Sequence, residues 1–376
     1  MILDAPQTQA VKYAGSKLKL LPYILSMAKD AVGNAEDVTV FDGFSGSTRV
    51  SQAFAKSGYT VYANDTAIYS KFFNTAFLLN KKSAESYQPL IDHLNSLKPV
   101  DGWFSEHYGG DGLYQESKKT DGLKKPWQKK NTRKLDAIRQ EIDLLNLDDV
   151  TKAVAVTSLI LALDRVDSTL GHFSSYLNDW SARSYNDMKL EVPGLWINKN
   201  KNTVMQNDVF ESLKQLPENI TLAYFDPPYG SNNEKMPPSR VRYSSYYHIW
   251  TTICLNDKPE LFGKAKRRKD TSDTIAGSVF EEFKKNSSGK FIVIDAIEKL
   301  VTETKAEYIM LSYSSGGRAN ANELNNVLDS CGKIIEVKKI DYKKNVMAAM
   351  TRTNDWLKET EEKNYEYLFL MKKHLK

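Results

Sequence analysis

Residues 38–66, VTVFDGFSGSTRVSQAFAKSGYTVYANDT, admit few folds. An apolar run at 38–41 enters a turn carrying Gly43 and Gly46. A helical pattern near 47–57 stops at Gly58, a second apolar run fills 59–63, and Asp65 follows. Strand, tight turn, helix and strand in this order make one repeat of an α/β sheet. The glycines let the backbone approach a ligand at the carboxyl end of the first strand, and an acid ending the second strand is placed to accept hydrogen bonds from ribose hydroxyls. The turn does not match G-x-G-x-x-G, which removes the best support for a nicotinamide oxidoreductase. Its spacing, with Asp42 before Gly43 and Asp65 beyond, suits an adenosyl ligand without a pyrophosphate. An ordinary tight turn in an α/β protein would read the same way.

Further units extend the sheet at a distance in sequence. KYAGSKLKLLPYI (12–24) reads as a loop entering a helix, and NTVMQNDVFESL (202–213) as a strand followed by Asp208. TLAYFDPPYG (221–230), AEYIMLSYSS (306–315), KIIEVKKIDY (333–342) and EYLFLM (366–371) read as strands, with helices expected near 276–286 and 320–330. Residues 67–200 differ, being rich in helical periodicity. LDAIRQEIDLLN (135–146) and VTKAVAVTSLILALDRV (150–166) are convincing helices, the second apolar on most sides and so expected to be buried. The expected organisation is therefore a sheet domain built from 1–66 and 201–376, with a helical subdomain inserted at 67–200. A chain of 376 residues, 41% of them hydrophobic, can bury a core of that size. No apolar run approaches the roughly 20 residues a membrane span needs. The N-terminal stretch lacks the pattern of a signal peptide, so the expected location is cytoplasmic. Two cysteines, Cys254 and Cys331, are too few for a zinc cluster, and no metal is expected.

Net charge is only +5, but the bases are clustered. SKKTDGLKKPWQKKNTRK (117–134) holds eight Lys or Arg against one acid beside Trp127, and KAKRRK (264–269) holds five bases and no acid. Either run alone could be a solvated loop; two in one chain fit a polyanionic partner better. The candidates for that contact are Lys124, Lys125, Lys129, Lys130, Lys266, Arg267 and Arg268. Tyr176, Arg183 and Asn186 in the insertion are the candidates for reading base edges.

YFDPPYG (224–230) specifies chemistry. An exocyclic aromatic amine is a weak nucleophile because its lone pair is delocalised into the ring, and hydrogen-bond acceptors draw the nitrogen toward tetrahedral geometry. Asp226 can accept one N–H, and the Pro227 carbonyl, beside Pro228 with its fixed φ, can accept the other. Tyr229 can stack on the base, an interaction worth about 1–3 kcal/mol.

On KYAGSK, FDGFSGS, the acid of ANDT, NDVF and DPPY, in that order, the chain resembles the DNA amino-methyltransferases that use S-adenosylmethionine. Within these it is most similar to the Dam-like, alpha-ordered adenine-N6 enzymes. The resemblance implies a Rossmann-like methyltransferase sheet. It implies contacts to the cofactor or reacting centre from Tyr13, Ala14, Lys17, Asp42, Gly43, Phe44, Gly46, Ser47, Asp65, Asp208, Val209 and Asp226. It also implies duplex DNA as partner, recognition by the helical insertion, a flipped-out target base, and a role in restriction–modification beside a separate cognate endonuclease. Two departures bear on the cofactor contacts: Tyr13 and Ser16 stand where the family often has Trp and Gly, and Asp42-Gly43 where Glu-Pro is frequent. On the residues alone, Lys17 could be a surface lysine at a helix start and Asp208 an N-cap. Cytosine N4, more usually paired with Ser in place of Asp226, an RNA adenine, or a non-catalytic DNA-binding module that kept the fold also stay open.

Overall fold

The computed structural model describes residues 4–33, 37–111, 122–230, 242–273, 275, 277–342 and 364–374. Seven of the described strands form one sheet: β1 (Thr39–Asp42), β2 (Thr60–Asn64), β3 (Thr203–Met205), β4 (Leu222–Phe225), β5 (Tyr308–Ser314), β6 (Gly332–Tyr342) and β7 (Asn364–Lys373). Their order across the sheet is β3-β2-β1-β4-β5-β7-β6. The first five run parallel, and β7 is antiparallel to both neighbours. This is the expected α/β, Rossmann-like sheet.

Side-chain alternation explains why the strands read as continuous apolar runs. Val40, Leu222, Tyr224 and Met310 face one side, against α1 (Leu21–Val32) and α2 (Arg49–Lys56). Phe41, Ala223, Phe225 and Leu311 face the other, against α8 (Val209–Gln215), α11 (Ile292–Glu303) and α12 (Ala321–Cys331). A parallel sheet covered on both faces needs apolar residues at every position. Each large side chain so buried contributes about 1.5–3 kcal/mol.

A third cluster joins α3 (Ile68–Leu78), α4 (Gln88–Ser96), α5 (Trp103–Tyr108), α6 (Lys129–Leu144) and α7 (Asp149–Arg165). Helix α7 is buried from Ala153 to Leu163, as its all-round apolarity predicts. Two helices that follow β4 in sequence pack into the same cluster. Short α9 (Tyr243–Tyr246) does so through its two tyrosines, and α10 (His248–Leu255) through Ile249, Trp250 and Ile253. Arg139, almost wholly buried in α6, secures α10 by donating from Nε to the Ile253 carbonyl at 2.6 Å, at the end of the helix where carbonyls lack helical partners.

One expected helix is absent. Residues 279–281 form only a turn and Lys285 bridges to Phe291; Ser278 and Glu281 have the spacing of a capping box, but Glu281 is buried with its carboxylate on the Tyr243 N–H. The helix lies later, in α11, whose β-branched opening Ile292-Val293-Ile294 carries little helical signal.

Candidate active site

The chain passes from β1 to β2 on one side of the sheet and from β4 to β5 on the other. The order therefore reverses between β1 and β4, where a crevice opens beyond the carboxyl ends of the strands. A cavity of about 640 Å³ lies there. Its walls include all twelve positions expected at the cofactor: Tyr13, Ala14, Lys17, Asp42, Gly43, Phe44, Gly46, Ser47, Asp65, Asp208, Val209 and Asp226.

The loop after β1 is built to stay open. Gly46 adopts φ +48°, and a Cβ there would lie 3.1 Å from the Tyr13 ring. Its N–H donates to Asp65 Oδ2 at 2.8 Å, while Asp65 Oδ1 accepts the Ala67 N–H at 2.9 Å. Burial raises the Asp65 pKa, and these amides oppose the rise. Asn64, which the sequence did not single out, ties three strand ends together. Its amide donates to the Gly43 and Asn207 carbonyls, and its Oδ1 accepts from Asn207 N–H and Ser212. Asp42 is fully buried; its Oδ2 accepts from Ser51 at 2.6 Å, and its Oδ1 has no partner among the described residues. Burial lifts its pKa to about 7, opposed by Ser51 and reinforced by the Asp226 and Asp65 carboxylates. The Asp208 side chain does cap α8, accepting from Phe210 N–H at 2.9 Å.

Lys17 is no surface lysine. Its ammonium is buried, 2.9 Å from Asp226 and 3.1 Å from Glu366, and donates to the Tyr229 hydroxyl at 2.7 Å. Burial alone would lower its pKa, but the two carboxylates outweigh that and raise it. The Tyr229 hydroxyl also contacts both Asp226 and Glu366. Burial moves Asp226 up to about pH 6, Lys17 pulling it down and Glu366 pushing it further up. Tyr229 itself is packed: its ring centroid is 4.7 Å from that of Tyr313, and the Lys17 ammonium sits 4.9 Å over it. Stacking on a base would require the ring to leave these contacts. Pro228 lines the cavity and Pro227 is buried. After them Gly230 takes φ +61° with the Arg318 guanidinium close by, a left-handed backbone that disfavours any side chain and would make Arg318 move to admit one. Tyr69 and Tyr243, which the motifs do not mark, line the cavity beside Tyr13, with Tyr247 packed behind them. Tyr13 stacks on Tyr247 at 4.4 Å and lies 5.3 Å from Tyr243, and Tyr13 and Tyr69 hydroxyls are 3.1 Å apart. Glu281, nearby, accepts the Tyr243 N–H and is lifted by burial to about pH 7.

The basic runs need correction. Residues 117–121 lie outside the described residues. Lys125 is buried and donates to the His107 carbonyl, and Trp127 is wholly buried with its indole N–H on the Leu163 carbonyl. Arg268 is buried in a two-pronged pair with Asp257, at 2.8 Å on both arms, and also meets Asp270. Tyr176 is buried with its hydroxyl on the Ala265 carbonyl. Lys125, Arg268 and Tyr176 can be internal because carbonyls and acids satisfy their polar groups, Asp257 and Asp270 close by in sequence for Arg268 and the Ala265 carbonyl 89 residues on for Tyr176. Arg183 reaches inward to the buried Asp167 at 2.7 Å. Arg267 lies over the Phe262 ring, and Lys266 adopts φ +52° with its carbonyl holding the Tyr108 hydroxyl. Lys129, Lys130 and Asn186 are exposed and Lys124 is half-buried; Lys129 pairs with Asp101 and Lys130 with Asp187. Arg268→Ala is accordingly expected to lower unfolding free energy by about 1.5–3 kcal/mol, the worth of hydrogen bonds to a charged group, since solvent reaches the Asp257 and Asp270 carboxylates left behind. Urea unfolding checks this.

A sheet of this order, with an acid-Pro-Pro-Tyr segment at its switch point, defines an amino-methyltransferase. The chain belongs to the D12 class N6 adenine-specific DNA methyltransferases, whose family model matches residues 13–339. It is 27% identical to the modification methylase StsI of Streptococcus sanguinis over 89% of this chain and 48% of that protein. It is 24% identical to the type II methyltransferase M.NlaIII of Neisseria lactamica over 96% of this chain and 99% of that protein. With M.FokI of Planomicrobium okeanokoites it shares 25% over 89% and 49%. The chain thus spans about half of two of these relatives and nearly the whole of the third. Among the described residues no helix is long and apolar enough to cross a membrane.

Proposed function

We propose that this chain transfers a methyl group from S-adenosylmethionine to N6 of a flipped-out adenine in duplex DNA, as a site-specific modification enzyme of the cytoplasm and nucleoid. The observation that carries the reading is Asp226 at the carboxyl end of β4, lining a cavity whose other walls come from the adenosyl-type loop. The cavity fits such a cofactor. The unpartnered Asp42 oxygen suits a cationic amino group, Asp65 suits ribose hydroxyls, and Val209 with Asp208 suits the purine. Bound there, S-adenosylmethionine supplies an electrophilic methyl carbon on a sulfonium.

The residues of the chain do the remainder. Asp226 and the Pro227 carbonyl accept the amino hydrogens and raise the electron density on nitrogen, and Asp226 is placed to receive the departing proton. The target lies inside the stack, so flipping it out costs a few kcal/mol, offset by stacking and phosphate contacts. The helical insertion at 67–200, with α10 and the 261–268 hairpin packed into it, is the proposed recognition unit. One relative is named a modification methylase and two are named type II methyltransferases, and a separate cognate restriction endonuclease is the proposed partner.

The division of roles is open to two tests. Asp65→Ala should weaken S-adenosylmethionine binding about 10–100-fold, the worth of a hydrogen bond to a charged group. Calorimetric titration reads it; unchanged affinity removes Asp65 from the ribose. Neutralising Lys124, Lys129 and Lys130 together should reduce the slope of log binding constant against log salt by about 0.9 for each phosphate no longer neutralised, equally on cognate and random duplexes. An unchanged slope would place this face away from DNA.

A further inference from the structure

The carboxylate of Glu366 enters the reacting centre from β7, far in sequence from every motif there. It is 5% exposed, and its Oε1 gathers three donors: Ser312 hydroxyl at 2.7 Å, the Lys17 ammonium at 3.1 Å, and the Tyr229 hydroxyl. Asp226 Oδ1 shares two of them, Lys17 at 2.9 Å and Tyr229. One ammonium and one phenol thus stand between two carboxylates. Both donors thus meet Asp226 at Oδ1 alone while Glu366 holds their other side; were Asp226 the sole acid, nothing would hold them there, and they could also cover Oδ2, whose lone pairs an amino hydrogen must reach.

We propose that Glu366 is a positioning residue for methyl transfer, dividing Lys17 and Tyr229 between two carboxylates so that Asp226 keeps an accepting oxygen for the substrate amine. The inference rests on the reading of Asp226 as the amine acceptor. The other titratable groups facing Asp226 are Asp42 from β1, Tyr224 from β4 and Tyr243 from α9, besides Lys17 and Tyr229. None of the tyrosines ionises in the working range, since burial raises all of them. Glu366 is therefore the nearby negative charge, beyond Asp42, whose removal alters Asp226.

Asp226 stands near pH 6 partly because Glu366 repels its ionised form. Glu366→Gln removes that repulsion and leaves Lys17 to Asp226 alone, so Asp226 should titrate lower while turnover falls. The expected results are a kcat lowered about 10–100-fold, in the range that a misplacement of about 1 Å at a reacting centre costs, and an acid limb of kcat displaced to lower pH. Glu366→Asp should restore part of the rate. The decisive readout needs no turnover: the 13C titration of the Asp226 carboxyl, assigned by its loss in Asp226→Asn, compared between wild type and Glu366→Gln. A lower midpoint supports the inference. An unchanged midpoint overturns it, as does a rate loss without displacement of the acid limb. Should Glu366→Gln not fold, Ser312→Ala, which removes one donor to Glu366 and leaves its charge less compensated, should displace the midpoint by a smaller amount and upward, and an unmoved midpoint there overturns it equally. Absence of methyl transfer by the wild type would instead contradict the reading of the reaction, and leaves the carboxyl titration to decide the role of Glu366.

Discussion

Asp226→Ala is expected to lower turnover by about 10²–10³, the typical loss when one preorganised hydrogen bond at a developing charge is removed, with DNA binding retained. The residue sits at the end of β4 with Lys17 as counter-ion. Alanine leaves Lys17 paired with Glu366, so the fold keeps its buried charge balance while the amine loses its acceptor. Wild-type kcat should fall as pH drops through about 6, where burial places the Asp226 proton, because the protonated acid cannot accept. Single-turnover methylation across pH 5–8 measures both effects. Full activity in Asp226→Ala, or a flat profile in wild type, would remove Asp226 from the mechanism.

Lys17→Met is expected to be among the most destabilising single changes, lowering unfolding free energy by about 3–5 kcal/mol near pH 8, since two carboxylates lose their buried counter-ion. The pH dependence has a definite sign. Asp226 titrates higher in the folded chain, near 6, than at its ordinary value of 3.8. Its proton thus favours the folded state; that stability is complete below about 3.8 and lost as pH rises through 6. Without Lys17 the folded value moves further up, and the loss extends to higher pH. The deficit of Lys17→Met against wild type should therefore shrink at pH 5. Urea unfolding at pH 5 and pH 8 measures it, and an equal deficit at both would mean that Lys17 does not compensate these acids.

The parts legible in sequence are those whose cause is local. Gly43 and Gly46 mark a turn that must admit a ligand, and Asp226-Pro227-Pro228-Tyr229 is short enough for its rigidity to be read directly. The strands β1, β2 and β4 announce themselves because both faces are apolar. Glu366 was not legible. It lies in an ordinary strand pattern and meets Tyr229 across 137 residues. The basic runs turn inward for a different reason: a count of bases within 264–269 leaves out Asp257 and Asp270 just outside it, which hold the Arg268 guanidinium, and the His107 carbonyl that takes Lys125 carries no sequence signal. The motif offers Tyr229 as a stacking face, but its hydroxyl lies in a network of Asp226, Glu366 and Lys17 that only the closed sheet assembles.

Methylation of adenine at Asp226 is checked at its source by following the methyl group itself. The purified chain is incubated with duplex DNA of mixed sequence and S-adenosylmethionine carrying an isotopically labelled methyl group. The DNA is then hydrolysed to nucleosides and the labelled base identified by mass. The expected result is label in N6-methyladenine, depleted by about 10²–10³ in Asp226→Ala. Label in N4-methylcytosine, or no label in DNA while the protein binds the cofactor, would contradict it.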